Sequence, residues 1–344
     1  PLHTDLPQDW RAARATRVAR MKVLLVLTPL ALFAASLFIG YAPLPVAEAF
    51  LALFGQGDEL TTTVMQQIRL PRALLAAMVG AALGLSGAAM QGYLRNPLAE
   101  PGLIGVSGAS ALGAVIALQT GFASAFTLAL PLSALAFALV AIAILLALSG
   151  PRGGSLTLIL AGIAISALAG ALTSLALNLS PNPYATYEMV FWMMGSVADR
   201  SMEHVTLAAP VMAVGAVLLL TTGRGLDALT LGEDAAQSLG INLTALRLRL
   251  LIGTAAAVGA ATAVAGAIGF VGLVVPHLLR PLIGHSPARL LWASALGGAA
   301  LLTAADIATR LILPDKDLKL GVLMALIGAP LFLHLIYKTR REGA

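Results

Sequence analysis

The chain has 344 residues, of which 59% are hydrophobic and only 11% are charged. About a quarter of the residues in a soluble domain are charged, so most of this chain is expected to lie in a bilayer. The absence of Cys excludes disulfides and thiolate metal sites. The net charge of +5 comes from basic residues at the ends of apolar segments, a pattern of membrane topology and not of nucleic-acid binding.

Long runs without charged residues predict an all-α polytopic membrane protein. They occupy residues 23–47, 73–94, 103–151, 153–187, 205–223, 250–279, 290–305 and 320–337. A spanning helix needs about 20 apolar residues. Two of the runs are long enough for two helices each, with the divisions near residues 118–124 and 266–272. The sequence therefore predicts about ten transmembrane helices.

Lys and Arg residues set the expected orientation. With the N-terminus in the cytoplasm and alternating spans, about 15 of the 21 Lys and Arg residues face the cytoplasm. Residues 1–22 then form a cytoplasmic N-terminal segment, residues 23–340 form a single transmembrane domain, and both termini are cytoplasmic. The first apolar run is longer than the apolar region of a signal peptide, so we interpret it as an uncleaved helix. We expect a multi-pass protein of the bacterial inner membrane.

Two arginines on the outer side flank a proline in "QQIRLPRALL". Proline is favoured at the first helical position, so the helix is predicted to start at Pro71. Arg69 and Arg72 would then lie at the positive end of the helix, where cations are unfavourable. An anionic partner outside would explain them. Arg310 is a third candidate for this role, although Asp306 lies four residues earlier and could simply pair with it.

The stretch "RNPLAEPGLIGVSGAS", residues 95–110, interrupts two apolar runs. Pro97 and Pro101 prevent a regular helix. Irregular backbone at membrane depth is tolerated only where it lies against protein or lines a water-filled cavity. We interpret Glu100 as a cap for the positive N-terminus of the third spanning helix.

Residues 223–247 form the longest cytoplasmic loop, and the pattern indicates that it is structured. Gly232 is predicted to start a short helix with Glu233 and Asp234 in its first turn, where acids complement the helix dipole. Gly240 fits the end of that helix. Apolar contacts would come from Leu226, Leu229, Leu231, Leu239 and Ile241. Two interpretations stay open: a landing site for a partner protein, or an amphipathic interfacial helix without a partner.

Three classes of membrane protein compete: a secondary transporter, an intramembrane enzyme, and the membrane subunit of an ATP-driven transporter. The uncharged runs contain no Asp, Glu, Lys or Arg, whereas a proton- or ion-coupled carrier usually needs an ionisable side chain near the middle of the bilayer. The sequence contains neither an H-E-x-x-H metal motif nor a P-loop. We therefore expect no catalytic residues, metal site or cofactor in this chain, and any ATPase must be a separate polypeptide.

Several motifs resemble one known family. "RLPRALLAAMVGAALGLSGAAMQGYLRNPLAEPGLIGVSGAS" (69–110) is similar to the permeases of type II ABC importers, the FecCD family, which includes vitamin B12, haem and ferric-siderophore permeases. "LGEDAAQSLG" (231–240), "GFVGLVVPHLLR" (269–280) and "AADIATR" (304–310) continue the match. The resemblance implies a vitamin-B12-permease-like fold of ten helices and a homodimer around a two-fold pathway. It also implies two ABC ATPase subunits, which bind ATP and Mg, and a periplasmic binding protein.

The resemblance also implies roles for individual residues. Arg69, Arg72 and Arg310 match the arginines that dock the binding protein. Asn96, Leu98 and Ser155 match positions of a cytoplasmic gate, although Leu156 follows where the family can have a second polar residue. The segment expected to couple to the ATPase comprises Leu231, Gly232, Glu233, Ala235, Leu239 and Gly240.

The sequence indicates the substrate less directly than the fold. The family moves large chelates, and a bare metal ion would find few ligands along this chain. We expect an intact iron-containing chelate, with haem as the first candidate and a ferric siderophore as the second. Cobalamin is the alternative substrate, and a secondary transporter is the less favoured alternative class.

Overall fold

The computed structural model describes residues 8–40, 43–150, 154–180, 183–313 and 318–342. Within these ranges the chain is helical and has no strand. The α-helices are α1 (Gln8–Phe38), α2 (Val46–Leu53), α3 (Glu59–Thr63), α4 (Leu70–Leu94), α5 (Val106–Gln119), α6 (Ala129–Ser149), α7 (Ser155–Asn178), α8 (Pro183–Met193), α9 (Met202–Leu220), α10 (Gly223–Leu229), α11 (Glu233–Ser238), α12 (Leu243–Ala265), α13 (Val271–Ile283), α14 (Pro287–Ile312) and α15 (Leu320–Glu342).

Eight helical segments in the described part of the chain are long and apolar enough to cross a membrane, and the shorter apolar helices α5 and α13 complete the set. The predicted all-α membrane fold with about ten spans is therefore confirmed. Both predicted divisions are also present. The chain breaks between α5 and α6 at residues 120–128, and between α12 and α13 at residues 266–270.

The break after α12 depends on a glycine. Gly266 ends the helix with a φ of 74°, in the left-handed region. A Cβ at this position would lie 2.3 Å from the carbonyl oxygen of Trp192. Only glycine satisfies both the backbone angle and the space. The glycine at this position therefore specifies the break between α12 and α13.

The predicted start of the second spanning helix at Pro71 is wrong. The helical segment is Glu59–Leu94, and the carboxylate of Asp58 accepts a hydrogen bond of 3.0 Å from the Thr61 N–H at its true N-terminus. A π-helical turn at Val64–Arg69 precedes the proline. Proline has no N–H to donate inside a helix, and a π-helical turn shifts the hydrogen-bond register, so the helix continues through Pro71.

Some short helices lie outside the predicted scheme. The run at 153–187 contains two helices, α7 and the shorter α8, and α2 lies after the first span. The N-terminal segment predicted at 1–22 is helical from Gln8, and residues 1–7 lie outside the described residues.

The helices α4, α12 and α14 form the centre of the bundle. In their most apolar windows, 78%, 78% and 61% of residues are buried, against 11% for α1. The backbones of α4 and α14 approach so closely that a Cβ on Gly80 would lie 2.2 Å from the Gly298 carbonyl oxygen. Small residues allow such close packing in lipid. Because α4 and α14 both cross the membrane, this pair connects the sites at the two faces.

Candidate functional sites at the two membrane faces

The outer end of the bundle contains a buried charge cluster, Arg69, Arg72, Asp306 and Arg310, called here the arginine cluster. Asp306 of α14 is 1% exposed. The Nε of Arg72 donates to its carboxylate at 3.0 and 3.2 Å, and Arg72 Nη2 lies 2.9 Å from Oδ1. Arg310, one turn later on α14, pairs with Oδ2 of the same carboxylate. The pairing of Asp306 with Arg310 is thus present, and Arg72 joins it from α4.

The same cluster caps the C-terminus of α1. Arg69 Nη1 donates to the carbonyls of Leu37 and Phe38 at 3.1 and 3.2 Å. Arg310 Nη1 donates to the carbonyl of Ser36 at 2.9 Å. The last carbonyls of a helix lack intrahelical partners, and cations are favourable at this end. The arginines therefore stabilise a helix C-terminus that belongs to a different part of the chain.

This geometry changes the basis of the docking prediction. Arg69 and Arg72 do not lie at the N-terminus of their helical segment, because that segment starts at Glu59. Arg69 and Arg310 are each 5% exposed. The side chain of Arg72 is 14% exposed and that of Arg310 3%. A docking role for the three arginines stays a prediction, with Arg72 closer to the surface than Arg310.

The predicted gate segment begins where α4 ends. Arg95 takes a left-handed conformation with a φ of 49°, and Asn96 Oδ1 accepts a hydrogen bond of 2.9 Å from the Leu98 N–H. Asn96 is exposed, whereas Leu98 packs against Leu273 and the neighbouring apolar residues of α13 and α15. Ser155 begins α7, and its side chain lies outside the described part of the structure. The gate role of these residues stays a prediction.

Glu100 does not cap the third spanning helix, as the sequence suggested. Its Oε1 accepts a hydrogen bond of 2.7 Å from the N–H of Phe270, the residue before α13. The prediction identified a helix N-terminus as the partner of this acid, but it chose the helix nearest in sequence. Helix packing instead brings the break at 95–105 beside the break at 266–270, so Glu100 connects two irregular segments.

The predicted cytoplasmic helix is present. Gly232 precedes α11 with a φ of 104°, Glu233 and Asp234 occupy the first turn, and Gly240 follows with a φ of 81°. The apolar residues in and around α11 fall into an exposed set and a buried set. Leu231 and Leu239 are 69% and 64% exposed, and Glu233 is also exposed. The remaining apolar residues pack inward: Leu226, Leu229 and Ala236 are buried, and Ala235 and Ile241 are half-buried.

Asp227, which the sequence analysis did not identify, connects the short helices α10 and α11 to the bundle. The carboxylate of Asp227 in α10 accepts hydrogen bonds of 3.0 Å from Ser286 Oγ and from the Ala288 N–H. Both donors lie at the N-terminus of α14. The Ser-Pro pair at 286–287 is a helix-start signal, but nothing local indicates that its partner lies 59 residues earlier. Asp227 thus links the cytoplasmic helices to the helix whose outer end carries Asp306.

A helical bundle of about ten spans, with a pair of short helices fixed to a central helix, defines a multi-pass membrane protein. The model of the FecCD transport family matches residues 26–338, and the chain belongs to this family. It is therefore an ABC importer permease of the FecCD type. ABC permeases of this kind work with an ATPase and a substrate-binding protein.

Similar proteins differ in what they carry. The hemin transport system permease protein HmuU of Yersinia pestis is 41% identical over 287 residues, covering 80% of this chain and 83% of that protein. The vitamin B12 import system permease protein BtuC of Vibrio vulnificus (strain CMCP6) is 37% identical over 347 residues, 98% of both. A solved metal-chelate type ABC transporter in an inward-facing conformation has a TM-score of 0.82 and 35% identity, covering 93% of this chain and 99% of that chain.

Proposed function

We propose that the chain is one of two identical permease subunits in an importer that carries an intact metal chelate from the periplasm to the cytoplasm. A separate ABC ATPase binds ATP and Mg and supplies the energy, and a periplasmic binding protein delivers the chelate. The permease itself holds no cofactor. The surface of α10 and α11 is the observation that carries this proposal.

That surface fits a protein partner better than a lipid surface. Leu231 and Leu239 are largely exposed on either side of the acidic first turn of α11. Lipid headgroups of the cytoplasmic leaflet are anionic and attract basic segments, so Glu233 and Asp234 would be repelled there. An exposed apolar patch rimmed by polar residues is typical of a protein interaction site. We therefore favour a landing site for the ATPase over an interfacial helix.

The arginine cluster is the proposed docking site on the outer face. The three arginines and one aspartate of the arginine cluster carry a net charge of +2. The negative end of the α1 helix dipole offsets part of this charge. A carboxylate of a binding protein would meet the cluster through Arg72. Charges across an interface mainly determine register and association rate, which suits a partner that must bind and leave in every cycle.

An iron-containing chelate is the proposed substrate, with haem first and a ferric siderophore second. Cobalamin is the alternative, because the chain is similar to a hemin permease and to a vitamin B12 permease at 41% and 37% identity. Neither likeness by itself separates the three chelates.

Reconstitution tests the proposal. The permease, its ATPase and its binding protein would be placed in proteoliposomes, and uptake of hemin, a ferric siderophore and cobalamin would be measured with ATP inside or outside the vesicles. One chelate should accumulate only when ATP is on the ATPase side. An ATPase variant without its P-loop lysine is the control. Uptake driven by an ion gradient with that variant would identify a secondary transporter instead.

A further inference from the structure

A cavity of about 300 Å³ lies at the cytoplasmic end of α4, between α13 and α14. Its polar lining consists of Gln91, Arg95, Asn96, Thr230, Arg280 and His285. No residue of this lining is an Asp or a Glu, whereas two are arginines. The cavity also touches both the predicted gate segment, through Asn96, and the cytoplasmic loop 223–247, through Thr230.

The guanidinium of Arg280 is held in place by a buried amide. Its Nη2 donates to Gln91 Oε1 at 2.7 Å. Gln91 is 3% exposed, and its Nε2 donates to the Gly272 carbonyl at 3.3 Å. Gln91 of α4 thus holds the guanidinium of Arg280 in one orientation against α13. The bond uses one of the five N–H donors that a guanidinium carries. An arginine oriented in this way is suited to an oxyanion, which it binds through paired donors.

Arg95 occupies a backbone position that favours glycine. Its φ of 49° and ψ of 35° are left-handed, and it ends α4. Glycine is usual at such a helix end, because a Cβ is unfavourable in this conformation. This chain instead has an arginine there, in the lining of the cavity. Arginine is unfavourable for the backbone at this position, so we attribute its presence to the side chain.

Asp227, three residues before Thr230 of the lining, already has partners. Asp227 accepts hydrogen bonds from Ser286 and Ala288 at the start of α14. No acid of the described residues forms an ion pair with Arg95 or Arg280 within 4.0 Å. Two cationic groups therefore line one cavity, and within the described part of the chain no acid pairs with either of them.

We propose that this cavity is an oxyanion site, which binds a carboxylate or phosphate group through Arg95 and Arg280. Its volume lies at the lower end of ligand pockets, about 300–1,000 Å³, so it accommodates an acidic arm and not a whole chelate. The cavity lies beside Asn96 of the predicted gate, so we favour the carboxylate arm of an anionic chelate as the ligand. This choice of ligand rests on the proposed function. A lipid phosphate is the other source of the same chemistry.

Arginine labelling tests the site directly. The permease–ATPase complex in nanodiscs would be treated with phenylglyoxal, and modification of each arginine would be followed by peptide mass spectrometry. The added probes are hemin, which has two carboxylates, hemin dimethyl ester, which has none, and inorganic phosphate. At ten times its dissociation constant, hemin should slow labelling of Arg95 and Arg280 about tenfold, because protection follows occupancy. The ester should not protect, and the exposed Arg289 of the same cytoplasmic end is the internal control.

Further arms identify the source of the anion. Protection by phosphatidylglycerol nanodiscs relative to phosphatidylcholine nanodiscs, without hemin, would support the oxyanion site and assign it to a lipid phosphate. Equal labelling under all conditions would overturn the proposal. Protection that comes from the ATPase alone would also overturn it and assign both arginines to the subunit interface.

A variant separates this site from a structural role. Arg95→Gly removes the guanidinium and relieves the left-handed strain, so the thermal midpoint of the complex should stay equal or rise. Protection of Arg280 by hemin should require about tenfold more ligand, because a hydrogen bond to a charged group is lost. Unchanged protection in this variant would contradict the site. Chelate uptake by the wild-type complex is measured in parallel: no uptake, together with hemin protection of Arg95 and Arg280, would refute the proposed function and leave the site standing.

Discussion

Replacement of Asp306 by asparagine removes the one carboxylate at the centre of the arginine cluster. Asp306 is 1% exposed and is shared by Arg72 and Arg310. The substitution keeps the shape and one oxygen acceptor but leaves two guanidinium groups facing each other without a negative charge. We expect a folded chain of lower stability.

The magnitude follows from the geometry. Breaking a buried ion pair by removing one partner costs about 3–5 kcal/mol. The lower end applies here, because Arg310 keeps the Ser36 carbonyl and Arg72 is partly exposed. The entropy of unfolding is about 2.1 cal/mol/K per residue, so a loss of 1 kcal/mol shifts the melting midpoint of a chain of 344 residues by about 1.4 °C. The predicted shift for Asp306→Asn is therefore about 4 °C downward.

Thermal unfolding of the purified permease in detergent, at a fixed scan rate, measures this shift. The matched control is Asp199→Asn on the same outer side. Asp199 is exposed with a φ of 55°, a conformation that asparagine tolerates, so the control should change stability by less than about 0.5 kcal/mol. In the Asp306→Asn background, Arg72→Gln should be less destabilising than in the wild type, because the two residues share one interaction.

Additive effects of Arg72→Gln and Asp306→Asn would refute this reasoning, as would an unchanged midpoint in Asp306→Asn. Additive effects would mean that Arg72 and Asp306 are not coupled, and an unchanged midpoint would mean that the Asp306 carboxylate does not contribute to stability.

Three further predictions concern the cytoplasmic face. Glu233→Arg should weaken association with the ATPase in a pull-down without lowering the thermal midpoint, because Glu233 is exposed; full association would place the contact elsewhere. Asp227→Ala should lower the chelate transported per ATP hydrolysed, because α10 loses its hydrogen bonds to α14, while Asp227→Asn retains an oxygen acceptor and should recover part of the coupling; equal coupling ratios for both variants and the wild type would argue against the link. Asn96→Arg should reduce transport more than assembly, and normal transport in this variant would show that residues 95–98 do not border the pathway.

The sequence predicted those parts of the structure that depend on local rules. Uncharged runs predicted the spans, and glycines predicted the break after α12 and both ends of α11. The start of the second span was wrong because Pro71 is also compatible with a helix that continues through a π-helical turn. The signal for the true start was present in Asp58, a favoured N-cap residue.

Long-range partners could not be predicted in the same way. Glu100 bonds to Phe270, 170 residues later, and Arg310 bonds to Ser36, 274 residues earlier. In both cases the chemistry was foreseeable, since acids suit helix N-termini and cations suit C-termini. Which terminus each residue meets is decided by the packing of α4, α13 and α14, and that packing is not encoded in the neighbouring residues.

The central claim is that this permease converts ATP hydrolysis by a partner into directional movement of a chelate. The most direct test is accumulation of hemin in proteoliposomes that contain permease, ATPase and binding protein, with matched vesicles that contain Glu233→Arg. Wild-type vesicles should accumulate hemin against its gradient only with ATP, and the variant should not. Equal accumulation in both vesicles, or accumulation without ATP, would contradict coupling through α11.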